Sequence, residues 1–412
     1  PARRPLTMKT TSRGRKVAGS VLGAAALAAA VATAGTASAD TAAVGRILMA
    51  DTATAVPGSY IVKFRDAEVT RAEVAGTATR LAAAYDGAAP RVYDAFGGFQ
   101  FTGDAAEAAR LAADPTVAYV EQDQAVSLDH RAGSVRKAAV WGLDRSDQRK
   151  LPLDGQYQPA GKGGEGVNTY IIDTGVRLTH RDFGGRAVTG FDAVTSGGTA
   201  DDCNGHGTHV AGSTAGTTYG IAPKAKIYAV RVLNCQGSGT NAGVIGGIDW
   251  VAKNAVKPAV ANMSLGGGAS QSIDDAVNRG IQAGVVYVVA AGNDNKDACN
   301  TSPARTPNAV TVAASQNNDG RASFTNFGRC VDIWGPGVNI PSAWKDNDTS
   351  TKTISGTSMA SPHVAGAAAL ALEANPSASP AQITQALLAN ATSGTITNPP
   401  SGTPNKLMYV GS

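Results

Sequence analysis

Apolar spacing changes its period along the chain. Residues 60–64 (YIVKF), opened by Pro57 and Gly58, read as a strand. Residues 69–83 are Ala-rich and read as a helix. Residues 92–96 and 99–101 read as two strands around Gly97 and Gly98. A second helix is expected over 104–111, broken at Asp114 and Pro115, and a last strand over 117–121.

That order, β-α-β-β-α-β, is the ferredoxin-like split pattern. Beyond residue 166 the pattern becomes strand-helix alternation. Strands are expected over 167–172, 226–232, 260–264, 285–290 and 310–314. Helices are expected over 209–215, 244–254, 273–283 and 364–372. Such alternation predicts an α/β, three-layer domain around a mainly parallel sheet, preceded here by a small α+β domain. Ligand sites in these sheets lie beyond the carboxyl ends of the strands. Asp173, Ser264 and Asn293 each fall at such an end.

Composition narrows the class. With 412 residues, 43% hydrophobic and 17% charged, the chain is globular rather than disordered or collagen-like. Its net charge of +4 is too small to argue for nucleic acid. The charge is uneven. Residues 1–39 carry six bases and no acid. Residues 40–133 carry thirteen acids against eight bases, and the remainder is again basic.

The first block reads as an export signal. Arg13, Arg15 and Lys16 precede an Ala-rich apolar run over 17–34, and Ala37, Ser38 and Ala39 give a small-x-small cleavage site before Asp40. A membrane span is the competing reading. Ala and Gly transfer weakly into lipid, and no second apolar run of about 20 residues follows. A secreted protein, free of the membrane once the signal is removed, is expected. Met8 reads as the natural start, with residues 1–7 as an upstream extension. Export favours disulfides among Cys203, Cys235, Cys299 and Cys330, which allow three pairings. No CxxC or CxH spacing supports a metal.

Three local patterns carry chemistry. Asp173 precedes Gly175 and on its own is a turn. His206 sits in a Gly-flanked turn, with His209 three residues on and no acid at ligand spacing. Ser358 opens a helix, where a serine is ordinarily an N-cap. Together they supply a nucleophile, a base for its proton and a carboxylate to orient the base.

The strings IIDTG, NGHGTHVAG and SGTSMASPHVAG resemble the three catalytic motifs of the subtilisin-like serine proteases (peptidase S8), in that family's order Asp, His, Ser. The third block is most similar to the proteinase K and aqualysin branch, through WGL at 141–143 and NKLMYV at 405–410. VPGSYIVKF and VAYVEQDQAV resemble an inhibitor I9-type propeptide. The resemblance implies a signal with upstream extension over 1–39, a propeptide over 40–133 (ordered about 57–128) and a catalytic domain over 134–412.

It also implies roles. Ser358 is the nucleophile, His206 the base and Asp173 its partner, and Asn293 completes the oxyanion hole. Gly237, Ser238 and Gly239, with Ser264, Leu265 and Gly266, grip the substrate backbone as an added strand. Ala290, Ala291 and Gly292 wall an open S1 pocket suited to apolar or aromatic P1 residues. Aqualysin-like pairing implies Cys203–Cys235 and Cys299–Cys330. The proteinase K pattern implies a structural Ca²⁺ at the Pro307 and Ala309 carbonyls and Asp332, with no cofactor needed for catalysis. The propeptide is expected to assist folding, inhibit, and be cut off near 128–136. The product is expected to be a monomeric endopeptidase of proteins. Two rival readings are a catalytically silent exported binding protein on the same scaffold, and an esterase using the same triad. His209, Ser361 and His363 read as packing or capping residues. His180 and His130 have no partner readable from sequence.

Overall fold

The computed structural model describes residues 44–128, the backbone of 131–132, and residues 140–158 and 161–411. The expected leader, and residues 129–130 and 133–136 of the processing segment expected near 128–136, lie outside the described residues.

Residues 44–128 form the small domain. Strand Ala55–Phe64 is central, flanked antiparallel by Gly98–Thr102 and Val117–Ser127, with Ala88–Tyr93 at the edge. Helices Val74–Ala84 and Ala105–Leu111 cover one face. Phe64, Phe99, Phe101, Val62, Val120, Leu81 and Leu111 fill the core between them. The first helix starts five residues later than its Ala-rich run suggests. Glu73 accepts bonds from the N–H and hydroxyl of Thr70 at 2.9 and 2.6 Å, a local ring that competes with helix. Strand Val117–Ser127 runs six residues past its expected end, because its tail finds new partners.

The large domain is built on a nine-stranded sheet. Its centre is Asn168–Asp173, between Ala259–Met263 and Lys226–Arg231, and every pair is parallel except the terminal 392–393/406–407 ladder. The central strands are buried on both faces, as parallel strands between helix layers must be. Helices His206–Ala215 and Thr357–Ala374 share one core cluster with Val260, Val288 and Val312. Helices Asn241–Asn254 and Gln271–Gln282 pack on the other face. Among the described residues no helix is long and apolar enough to cross a membrane.

The small domain docks on those last two helices. Its Ile61, Tyr93, Phe96 and Val126 belong to one cluster with Val244, Ile245 and Ile248. Glu121 accepts from Ser270 Oγ, Ser272 Oγ and Ser272 N–H at the start of helix Gln271–Gln282. Asp123 accepts from Ala242 N–H at the start of helix Asn241–Asn254, and from Ser59. Two buried carboxylates, two residues apart on one strand, thus meet two helix N-termini.

Candidate active site

Strands Asn168–Asp173, Ala259–Met263 and Val286–Ala290 are parallel neighbours and end side by side. Asp173 closes the first, Ser264 follows the second, and Asn293 lies three residues past the third. All three are buried.

Asp173 Oδ1 lies 2.8 Å from His206 Nδ1, with both side chains fully buried. Thr174 N–H donates to the same oxygen at 2.7 Å. With Nδ1–H committed to the carboxylate, Nε2 is the nitrogen able to take a proton. The turn carrying His206 is shaped by glycine. Gly205 has φ +111°, and a methyl on Gly207 would come within 2.1 Å of the Gly175 carbonyl oxygen.

Asp202 is the residue that motif reasoning passed over. Its Oδ1 accepts from Thr174 Oγ1, Asn204 N–H and Gly205 N–H, each at 2.9 Å. Its Oδ2 accepts from Thr208 N–H at 2.9 Å and Thr208 Oγ1 at 2.6 Å. It ties the Asp173 strand end to the His206 turn. The available signal was an Asp two residues before Asn204 and three before Gly205, the pattern of an Asx-turn.

Ser358 is the second residue of helix Thr357–Ala374. Gly356 is the N-cap and makes no side-chain capping bond, so the ordinary N-cap explanation of Ser358 does not hold. Its hydroxyl instead donates to the Ser264 carbonyl at 3.1 Å. Asn293 Oδ1 accepts from Thr357 N–H and Oγ1 at 2.8 and 2.9 Å, which fixes its amide. A methyl placed on Gly356 would sit 3.6 Å from both Asn293 Nδ2 and Ser358 N. Two N–H-bearing nitrogens therefore flank one small space, an arrangement able to receive an oxyanion.

Ala290, Ala291 and Gly292, with Ser264, Leu265 and Gly266, line an open cavity of about 450 Å³ that reaches Ser358. Its walls are small. Its rim adds Asp294, Lys296 and Asp297, which the sequence reading did not include. On the other side of the cleft, Ser238, Gly239 and Thr240 pair antiparallel with Ser127, Val126 and Ala125. Leu128 N–H donates to Gly237 O at 2.9 Å, and Ser127 bridges Gly266. Further on, Arg131 and Ala132 pair with Ser355 and Ile354. The expected gripping segments thus hold the chain's own tail.

The other histidines are structural. His209 Nε2 meets Ile340 O at 2.9 Å, and burial pushes its pKa down to about 3. His363 Nδ1 meets Met359 O at 2.7 Å, and burial takes its pKa to about 4. Both are neutral at physiological pH. His180 bridges Ser350 O and Asp182 N–H. His130 lies outside the described residues.

Cys203 is bonded to Cys235, and Cys299 to Cys330. The first bond joins the His206 turn to the segment just before Gly237. Among the described residues no group of three or more His, Cys, Asp or Glu could hold a metal. Asp332 is the one carboxylate among the residues of the expected calcium site. Its Oδ2 accepts from Thr311 N–H at 2.8 Å, and burial pushes its pKa up to about 6, so a cation would relieve it.

Residues 164–406 match the profile of the subtilase family of S8 peptidases, and residues 59–129 match the peptidase inhibitor I9 profile. The chain is 57% identical over 304 residues to an extracellular serine proteinase of Thermus sp. (strain Rt41A), covering 74% of this chain and 73% of that one. It is 53% identical over 301 residues to the alkaline serine exoprotease A of Vibrio alginolyticus, covering 73% of this chain and 56% of that protein. The crystal structure of a cold adapted subtilisin-like serine proteinase superposes with a TM-score of 0.64 at 54% identity, covering 67% of this chain and all of the other. With a family profile spanning over half its length, this chain belongs to the subtilase family and is a subtilisin-like serine endopeptidase carrying an I9-type inhibitor domain.

Proposed function

We propose that this chain is an exported, self-processing endopeptidase that cuts proteins after apolar or aromatic residues. Ser358 attacks the carbonyl, and His206 takes its proton and returns it to the leaving amine. Asp173 orients the imidazole and stabilises its charged form. Asn293 Nδ2 and Ser358 N–H receive the oxyanion, and an acyl-enzyme forms and is hydrolysed. The small walls at Ala290, Ala291 and Gly292 support the P1 preference.

The observation that carries self-processing is the seating of residues 125–128 between strand Ser238–Thr240 and Gly266, with residues 131–132 paired to Ile354 and Ser355. Segments before and after residues 129–130 thus both pair with strands that border the cleft, which supports reading this stretch as the chain's own substrate. Residues 40–133 act as propeptide, first as folding aid and then as inhibitor, and 134–412 is the mature monomer. A structural Ca²⁺ would be held by the Pro307 and Ala309 carbonyls and Asp332. Oxygen donors suit it, and it would neutralise a largely buried carboxylate. Catalysis needs no cofactor.

The test is the intact mass and amino-terminal sequence of the secreted product, wild type beside Ser358→Ala. Loss of the segment before about residue 134 in wild type alone is the expected result. Identical loss in both would assign the cutting to another protease and defeat self-processing.

A further inference from the structure

We infer that the Ser264 side chain is a positioning residue for the nucleophile, acting through a backbone carbonyl that Pro362 leaves without its helix donor. This rests on the catalytic role proposed for Ser358. In an α-helix the carbonyl of residue 358 accepts from the N–H of residue 362. Position 362 lies inside helix Thr357–Ala374 and is proline, which has no N–H. Ser358 is a buried residue, and an unmet acceptor in a buried backbone is costly.

Ser264 supplies the missing donor. Its Oγ lies 2.8 Å from Ser358 O. Asn262 Nδ2 donates to Ser264 Oγ at 2.8 Å, and Ser361 Oγ lies 2.9 Å from it. A hydroxyl has one proton and two lone pairs. Ser358 O can only accept, so the Ser264 proton goes there. Asn262 fills one lone pair, and Ser361 must donate into the other. The hydroxyl is therefore saturated, and its direction is fixed.

Ser264 also receives the Ser358 hydroxyl on its own carbonyl at 3.1 Å. One residue at a strand end holds both the backbone and the side chain of the nucleophile. Strand Ala259–Met263 neighbours the strand that ends in Asp173. The clamp thus references Ser358 Oγ and Ser358 N to the sheet that also fixes the Asp173–His206 pair. Small displacements of a reacting group cost up to about 10²-fold in rate, so loss of the clamp should appear in turnover.

The role is distinct from substrate gripping, which uses the Ser264 backbone and survives Ser264→Ala. The test is a double-mutant cycle of Ser264→Ala and Pro362→Ala, with kcat and KM read on a peptide p-nitroanilide and enzyme fixed by active-site titration. Ser264→Ala alone is expected to lower kcat about 10-fold, the size of one buried hydrogen bond, at unchanged KM. In the Pro362→Ala background residue 362 has an N–H to offer. There the same Ser264→Ala change should cost less than about 2-fold. Should Ser264→Ala not mature, the cycle is read as the rate of self-cleavage on refolding. Melting temperatures of both substitutions in a Ser358→Ala chain separate stability from turnover. Equal losses in the two backgrounds would overturn the inference, as would a rise in KM with kcat intact, or a lowered melting temperature with no kcat change. Turnover that survives Ser358→Ala in an otherwise wild-type chain would instead defeat the parent reading.

Discussion

The two domains build their sheets differently, and the difference bears on which can stand alone. The large domain covers both faces of its sheet with its own helices and closes two loops with disulfides. The small domain covers one face only. Its other face carries Ile61, Glu121 and Asp123, and these are completed by helices Asn241–Asn254 and Gln271–Gln282 of its neighbour. Tyr93 Oη donates to Ala242 O at 2.9 Å, and Asp249 accepts from the N–H groups of Ala95 and Phe96. A domain of this size that finishes one face only is marginal by itself. That arrangement fits the proposed role of a segment that folds with the enzyme and is then removed.

The largest test of this asymmetry removes the proposed cut between the domains. Ser358→Ala should leave the domains joined and lower kcat by about 10⁶, the loss known for subtilisin itself. Asn293→Ala comes next. It keeps the proposed nucleophile and base but removes a proposed oxyanion donor, and should lower kcat by about 10²–10³, again the subtilisin value. Uncut chain should then accumulate in proportion, which a time course of intact mass on refolding would follow. A third change attacks the self-sufficiency of the large domain. Replacing Cys203 and Cys235 by serine opens a loop spanning 32 residues and should cost about 3–4 kcal/mol by chain entropy, read by urea unfolding of a Ser358→Ala chain. An unchanged midpoint would show that the domain does not depend on that bond.

Much of the candidate site's geometry was legible because each proposed catalytic group sits in a short string with its own glycines. IIDTG ends a buried strand, and Gly205 and Gly207 frame His206. Local pattern also gave the central strands, whose apolar runs face helices on both sides. What was not legible depends on distant partners. Strand Ala187–Asp192 is an edge strand broken by Gly190, which packs under Trp250. The hairpin Ile340–Ala343/Thr351–Ser355 mixes polar and apolar residues, and its register is set by pairing alone. Helix Pro380–Asn390, by contrast, carries local start signals, the capping box of Ser379 and Gln382 and Pro380 at its first position, that the sequence reading did not use. The Ser264 clamp joins residues 94 and 97 positions apart, so no window contains it.

The smallest expected effect concerns how tightly the two domains hold. Burial raises the pKa of both Glu121 and Asp123, outweighing the hydrogen bonds that favour their charged forms. Undocked, both return to water and to ordinary carboxylate values. A group raised by docking adds to docking fully below its free pKa, and loses that contribution as pH rises through its docked value. Docking should therefore be tightest in acid and weaken as pH climbs out of the ordinary carboxylate range, flattening once both groups are ionised in either state. One such group changes the equilibrium by at most about 10-fold per pH unit. Hydrogen exchange at strand Gly98–Thr102 in an uncut Ser358→Ala chain would follow docking across that window, and Glu121→Gln should reduce the slope. The opposite slope, with docking stronger as pH rises, would mean that the helix N-termini dominate over burial. The two domains would then be held by charge rather than by the shared apolar face.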